Sequence, residues 1–435
     1  MKLAKLGLAG ILVAGLATSS YGADSLVDAF KNGKANGELM AWYFDRKVEN
    51  AHTSSAGIFS TAAILGYVTD TFYGFSLGGT FEAVYAPEAS SGAKSVYKSD
   101  MYSSGAVLSE GYLRYDIAKT ALKAGRQYIS TPLVTGSGTR IVKESFQGAM
   151  VTSKDLPGTT ITGGYINKFQ GRTGYAMGDT VGDAPDFTSR SIFLGISGST
   201  TYEFNGAYTV AVINKSIPNL TLTGQYLNVG DVKVGTKKSD IHVYYTDAKY
   251  LLPMDGYKLE FGLNFRGSQT EDPLHATIKY NGTYAAGKIA VSELAGFGAS
   301  FVAATTSRDD AVIAGMGNGP SSYTATLIRA STATLTANTG SYRCDVTYDF
   351  SKIGLAGLKG ALQYGWTNQN RVGTAAASSD YTSYAGSLDY AVPLLKGLSL
   401  AVQYEKQENE TTKYASNTKT SIDTDEVRIK LNYKF

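Results

Sequence analysis

The last nine residues alternate without a break. Val427, Ile429, Leu431, Tyr433 and Phe435 are apolar, and Arg428, Lys430, Asn432 and Lys434 are polar. Successive side chains of a β-strand point to opposite faces, so this segment has one greasy face and one wet face. A soluble sandwich could end on one such strand, so recurrence decides the matter. Leu398, Leu400, Val402 and Tyr404 alternate with Ser399, Ala401, Gln403 and Glu405. The same period runs through 358–367, 342–350 and 257–266, where Tyr257, Leu259, Phe261, Leu263 and Phe265 interleave with Lys258, Glu260, Gly262, Asn264 and Arg266.

Connections between these segments fall into two kinds. Residues 217–219, 253–256 and 394–397 read as tight turns, whereas 86–104, 170–203, 307–339 and 409–424 are long polar stretches rich in Ser, Thr, Gly, Asn and Asp. Short turns at one end and long loops at the other are the pattern of an outer-membrane barrel, with the turns periplasmic and the loops extracellular. Strand starts near 37, 59, 72, 105, 119, 146, 158, 204, 219, 240, 257, 283, 298, 340, 358, 382, 398 and 425 give about 18 strands, with 16 as the alternative. The expected fold class is therefore all-β: a transmembrane antiparallel β-barrel wide enough to leave an aqueous channel. Aromatic residues near strand ends (Tyr43, Phe44, Phe72, Tyr73, Tyr390, Tyr404, Tyr433 and Phe435) fit girdles at the two membrane interfaces. The mean hydropathy of −0.12 agrees, because lipid-facing and water-facing residues cancel.

Residues 1–22 read as a cleavable signal peptide: Lys2 and Lys5 precede the apolar run Leu6 to Ala17, and Ser20 and Gly22 are spaced for cleavage. Residues 23–435 then form the barrel domain. The net charge is only +3, two of whose cations leave with the signal, and no basic patch stands out, so nucleic acid is not an expected partner. The single cysteine, Cys344, permits no internal disulfide, and no metal-ligand spacing exists, so no metal or other cofactor is expected. His52, His242 and His275 are the only histidines and none sits in a nucleophile motif, so no enzyme is expected.

Charges on the lipid face cost ~2–4 kcal/mol each near the midplane, so parity assigns them to the lumen. By that rule Arg114, Lys123, Lys258, Arg266, Arg343, Lys359, Arg428 and Lys430 point inward, with Glu110, Asp116, Glu260, Asp345, Asp349 and Glu405. Arg126 breaks the rule: alternation from Leu122 faces it outward unless a bulge intervenes.

Several segments together resemble the OprD family of outer-membrane porins. They are Asn32-Gly33-Lys34-Ala35-Asn36-Gly37-Glu38-Leu39, Leu122-Lys123-Ala124-Gly125-Arg126-Gln127, Thr131-Pro132, Thr139-Arg140, Phe146-Gln147-Gly148 and 156–165. The resemblance covers roughly residues 32–169. Lys143 and Glu144 stand where the family usually shows a proline before the Phe-x-Gly element. The resemblance implies an 18-stranded porin with a third extracellular loop folded inward and a row of basic side chains guiding carboxylate solutes. The strand count puts that loop at 128–145, so Arg140, Lys143 and Glu144 are the expected constriction residues, with the inward cations Arg114, Lys123, Lys258, Arg266, Arg343, Lys359 and Arg428 lining the pore. Expected partners are small polar or anionic solutes, outer-membrane lipid and the barrel assembly machinery, for which Tyr433 and Phe435 form the terminal signal. A homotrimer is common among porins, and a monomer is the alternative. An adhesin or structural barrel acting through its extracellular loops, 307–339 above all, is the competing reading.

Overall fold

The computed structural model describes residues 22–50, 55–194, 201–272, 274–276, 278–329, 332–372 and 377–435. Apart from Gly22, the expected signal peptide 1–22 lies outside the described residues, as does His52.

Eighteen strands form one closed wall: β1 Lys34–Glu49, β2 Ala56–Val68, β3 Phe75–Tyr85, β4 Ser103–Ile117, β5 Thr120–Gln127, β6 Ser145–Ser153, β7 Thr159–Gln170, β8 Ala207–Asn214, β9 Leu220–Val234, β10 Lys237–Met254, β11 Tyr257–Thr270, β12 Thr283–Leu294, β13 Phe297–Thr306, β14 Thr339–Asp349, β15 Leu358–Gln369, β16 Ala377–Ala391, β17 Leu398–Lys413 and β18 Thr418–Lys434. Each pairs antiparallel with its sequence neighbours. β18 closes on β1 from Glu38 opposite Lys434 to Glu49 opposite Asp423. Closure leaves no edge, which is what a sheet in hydrocarbon requires.

The outer face is apolar and exposed: Leu263, Leu362, Phe301, Ile429 and Leu431 all project from it. At the end where both termini lie, connections are short, down to two residues at 118–119, 255–256 and 295–296. At the other end lie 86–102, 128–144 and the described parts of 171–206 and 307–338. The polar stretch 409–424 is not a loop. β17 and β18 run through it to a hairpin at 414–417, because Thr and Ser suit an extended strand once it has left the membrane.

Alternation fails in two places. Met40, Trp42, Phe44 and Ile58 are buried inside the barrel with Ile141 and Val142, and helix α1, Ser91–Tyr97, packs there too. A second apolar cluster joins Phe146, Ile166, Phe169, Leu227, Ile241 and Val243 to Leu133, Val134 and Met316. Phe44 is thus not part of an interfacial girdle as its position had suggested; it faces inward and is fully buried, while Tyr43 faces out. These apolar inner patches exist because the long loops fold inward and need a dry seat.

The Phe146-Gln147-Gly148 element has a backbone reason. Phe146 enters the second cluster, and a Cβ at Gly148 would overlap the Tyr165 carbonyl oxygen and the Ile166 backbone, where β7 carries a bulge. Gly148→Ala is therefore expected to cost about 1–3 kcal/mol, the range for forced overpacking, read as a lower urea midpoint for loss of the folded barrel.

Candidate permeation pathway

Two loops cross the lumen. The third extracellular loop (L3, 128–144) leaves β5 and reaches the far wall, where the Leu133 amide donates to Gln225 Oε1 at 2.8 Å. Gln225 Nε2 in turn donates to Thr131 Oγ1 and Thr209 Oγ1, each at 2.8 Å. The returning limb seats Ile141 and Val142 on the apolar inner face of β1.

The seventh loop (L7, 307–338) lies on L3. The Met316 amide donates to Leu133 O at 2.8 Å, the Gly319 amide to Thr135 O at 3.0 Å, and the Thr135 amide to Met316 O at 3.2 Å. Gly315 and Gly317 have φ of 143° and 84°, and a Cβ on either would strike the L3 backbone, so the Gly-Met-Gly run is what lets the two loops touch. L7 then crosses to the opposite wall. Its Tyr323 hydroxyl donates to Asp247 on β10, and the Ile328 and Arg329 amides donate to Glu405 Oε2 on β17 at 2.6 and 3.1 Å. The stretch considered as a surface for partners is therefore folded into the barrel.

Where L3 and L7 meet the β18–β1 wall, cations gather. Arg140 of L3 pairs with Asp100, which also takes Arg46 at 3.1 Å. Glu426, fully buried, receives Arg46 at 2.8 Å, Arg329 at 3.1 Å and Arg428 at 2.7 Å. Lys430 has no ion pair among the described residues and lies over the Trp42 ring at 4.7 Å. Arg140 and Arg428 stand over Phe44, at 5.7 and 4.7 Å from its ring. Five cations thus face four carboxylates, Asp100, Glu426, Glu405 and, two strands from Lys430, Asp389, leaving an excess of positive charge. The side chains of Arg329, Arg46 and Arg140 keep 28, 15 and 11% exposure to the lumen. Down β18 the inner positions continue Arg428, Lys430, Asn432, Lys434, at ~6.8 Å per two residues, with Lys434 3.9 Å from Glu38.

Of the expected constriction residues, only Arg140 belongs to this cluster. Lys143 pairs with Glu38 at 2.6 Å. Glu144 is buried and turned away from the passage. It accepts from the Ser137 and Asn318 amides at 2.9 Å each and binds Arg172 at 3.0 Å, so it latches L3 to L7 and to the next loop.

The expected wall cations are dispersed. Arg428 is in the cluster. Arg343 is strapped to L7 through Ala325 O and paired with Asp345 at 3.1 Å. Arg266 is buried under L7, donating to Ser321 O at 3.2 Å. Lys123 pairs with Glu110 at 3.0 Å, Arg114 with Asp116 at 2.6 Å, Lys258 with Glu293 at 2.6 Å and Lys359 with Asp349 at 3.8 Å. Sequence reasoning missed Arg46, Arg172 and Arg329. Arg46 was reachable, since Trp42, Phe44 and Arg46 share parity; the other two come from loops, which carry no period.

A closed 18-stranded barrel whose charged lumen is crossed by L3 and L7 defines an outer-membrane diffusion channel, a porin. The chain belongs to the OprD family of outer membrane porins, whose model matches residues 72–435. The match thus takes in the C-terminal half, where only strand pattern had been legible. Among solved structures, Pseudomonas aeruginosa OccK9 (OpdG) aligns over 94% of this chain and 100% of its own at 15% identity, with TM-score 0.75. Acinetobacter baumannii OccAB4 aligns over 93% and 98% at 18% identity and TM-score 0.74. P. aeruginosa OccK8 (OprE) aligns over 93% and 98% at 16% identity and TM-score 0.72. No curated protein matches the sequence.

Proposed function

We propose that this porin passes small solutes passively with a weak to moderate preference for anions, carboxylates in particular. The observation that carries the reading is the cation excess at the L3–L7 crossing. In a narrow passage with low-dielectric walls the field of such a cluster is focused rather than screened. Arg140, Arg46 and Arg329 offer planar forks to a carboxylate, and Lys430 continues the positive row toward the periplasm. Their own carboxylate partners hold them in place, so a passing anion binds briefly and leaves.

Arg140 and Lys430 act as solute contacts in this reading, whereas Arg343, Lys258, Lys359, Arg114 and Lys123 are largely compensated wall charges. Channels carrying Arg140→Ala with Lys430→Ala should lose anion preference, seen as a reversal potential moving toward the non-selective value in a salt gradient. Arg343→Ala should move it less, because Asp345 already balances that charge. An unchanged potential in the double variant removes the assignment.

We assign the chain no catalytic role, and we place cleavage after Gly22, behind the small residues Ser20 and Gly22. Tyr433 and Phe435 are proposed as the assembly signal; Phe435 is 59% exposed on the outer face, open to recognition by the barrel assembly machinery.

A further inference from the structure

Arg126 faces outward. It sits opposite Gly111 and Gln147 at the extracellular end of β5, and Gln147 sits opposite Lys168 of β7. The three side chains form one row across the outer wall, with Arg126 and Lys168 separated by ~10 Å, two strand spacings. The bulge that turns β7 adds Asn167 beside them, and both Asn167 and Lys168 are exposed. Neither Arg126 nor Lys168 forms an ion pair among the described residues; Arg126 donates to Leu108 O at 3.3 Å and stacks at 4.5 Å on Phe187. The corresponding rim of β17 and β18 is different: there Lys406 is matched by Glu408 at 2.8 Å and Asp423 at 4.0 Å.

Just below the row, Tyr165 and Tyr208 pack with ring centroids 4.8 Å apart on the outer face, the sort of aromatic pair that marks headgroup depth. Beside it runs a groove of about 420 Å³, floored by Gly111, Gly125 and Ala149 and flanked by Leu108 and Tyr165. At headgroup depth cations such as Arg126 and Lys168 are tolerated on the lipid-facing wall, and an anionic headgroup is the group of opposite charge that meets them there. We propose that this row and groove bind a phosphate-bearing lipid of the outer leaflet, with its phosphate between Arg126 and Lys168 and an acyl chain in the groove. Gln147 and Asn167 supply further donors to the same phosphate.

The test uses the full-length folded barrel in uncharged detergent, with retained lipid counted by native mass spectrometry. The probes are bisphosphorylated lipid A, its dephosphorylated form and inorganic phosphate. Retention of lipid A should fall about fivefold in Lys168→Gln and about 25-fold when Arg126→Ala is added, the effect of one and two surface cations on an anionic lipid. Removing the phosphates from the lipid should reproduce the loss with the unaltered protein. Because Arg126 also stacks on Phe187, heat-modifiable mobility serves as the check on folding, and Lys168→Gln by itself decides the outcome if the double variant fails. Single-channel conductance and reversal potential should not change, which separates this site from the lumenal one. Equal retention of lipid A by Lys168→Gln overturns the proposal, as does inorganic phosphate displacing lipid A at equal concentration, which would mark a free-anion site.

Discussion

Glu426→Ala is expected to be the most damaging single substitution in this barrel. The carboxylate is fully buried and is shared by Arg46, Arg329 and Arg428, which come from β1, L7 and β18. Removing it leaves three guanidinium groups facing one another with only Asp100 and Glu405 nearby. Breaking a buried ion pair from one side costs about 3–5 kcal/mol, and here one deletion breaks three. The expected result is a large drop in the urea midpoint together with loss of the Arg329 side-chain anchor, L7 keeping its amide bonds to Glu405. Any channels that do form should show stronger anion preference, because one negative charge has left the cluster. Glu426→Gln should fall between, since it keeps the shape and loses the charge. A wild-type midpoint in Glu426→Ala would mean that the arginines find other partners and that the cluster does not hold the loops.

Replacing residues 308–337 by a four-residue Gly-Ser turn should raise single-channel conductance ~2–5-fold, since pore diameter sets throughput. The deletion is geometrically permitted: β13 and β14 pair directly, with Thr305 opposite Gly340, so a short hairpin suffices to join them. What it removes is the span from Tyr323 at the β10 wall to Arg329 at the β18 wall. Because L3 keeps its own anchor at Gln225, it should remain in the lumen, and some anion preference should survive through Arg140. Conductance that stayed at the wild-type level would show that L3 alone limits flow.

The strand ladder was legible because a membrane wall imposes period-2 alternation, and five clean segments together with the sorting of short turns from long loops leave little room for another topology. Most expected starts fall within a few residues of the observed ones; 382 and 425 came late, against 377 and 418, because both strands begin in polar residues above the membrane. The lumen was less legible. Parity says that Arg343 and Arg428 both face inward, but not that one is neutralised by Asp345 while the other joins Arg140 and Arg46. Glu144 shows the same limit: its place in L3 was read correctly, yet it latches loops together and does not face the passage.

Local chemistry acts over one or two residues, and so the sequence by itself determined most of the strands, most of their inward and outward faces and the sorting of turns from loops, while the register of β5 decided that Arg126 faces outward. Only the tertiary structure decided which side chains share a field. Glu426 and Arg46 lie 380 residues apart, as do the two ends of the closed wall in effect, and Gln225 is 92 residues from Leu133. Those contacts depend on how the barrel closes and on which apolar patches of its inner wall seat L3 and L7, and no repeat in the chain encodes either.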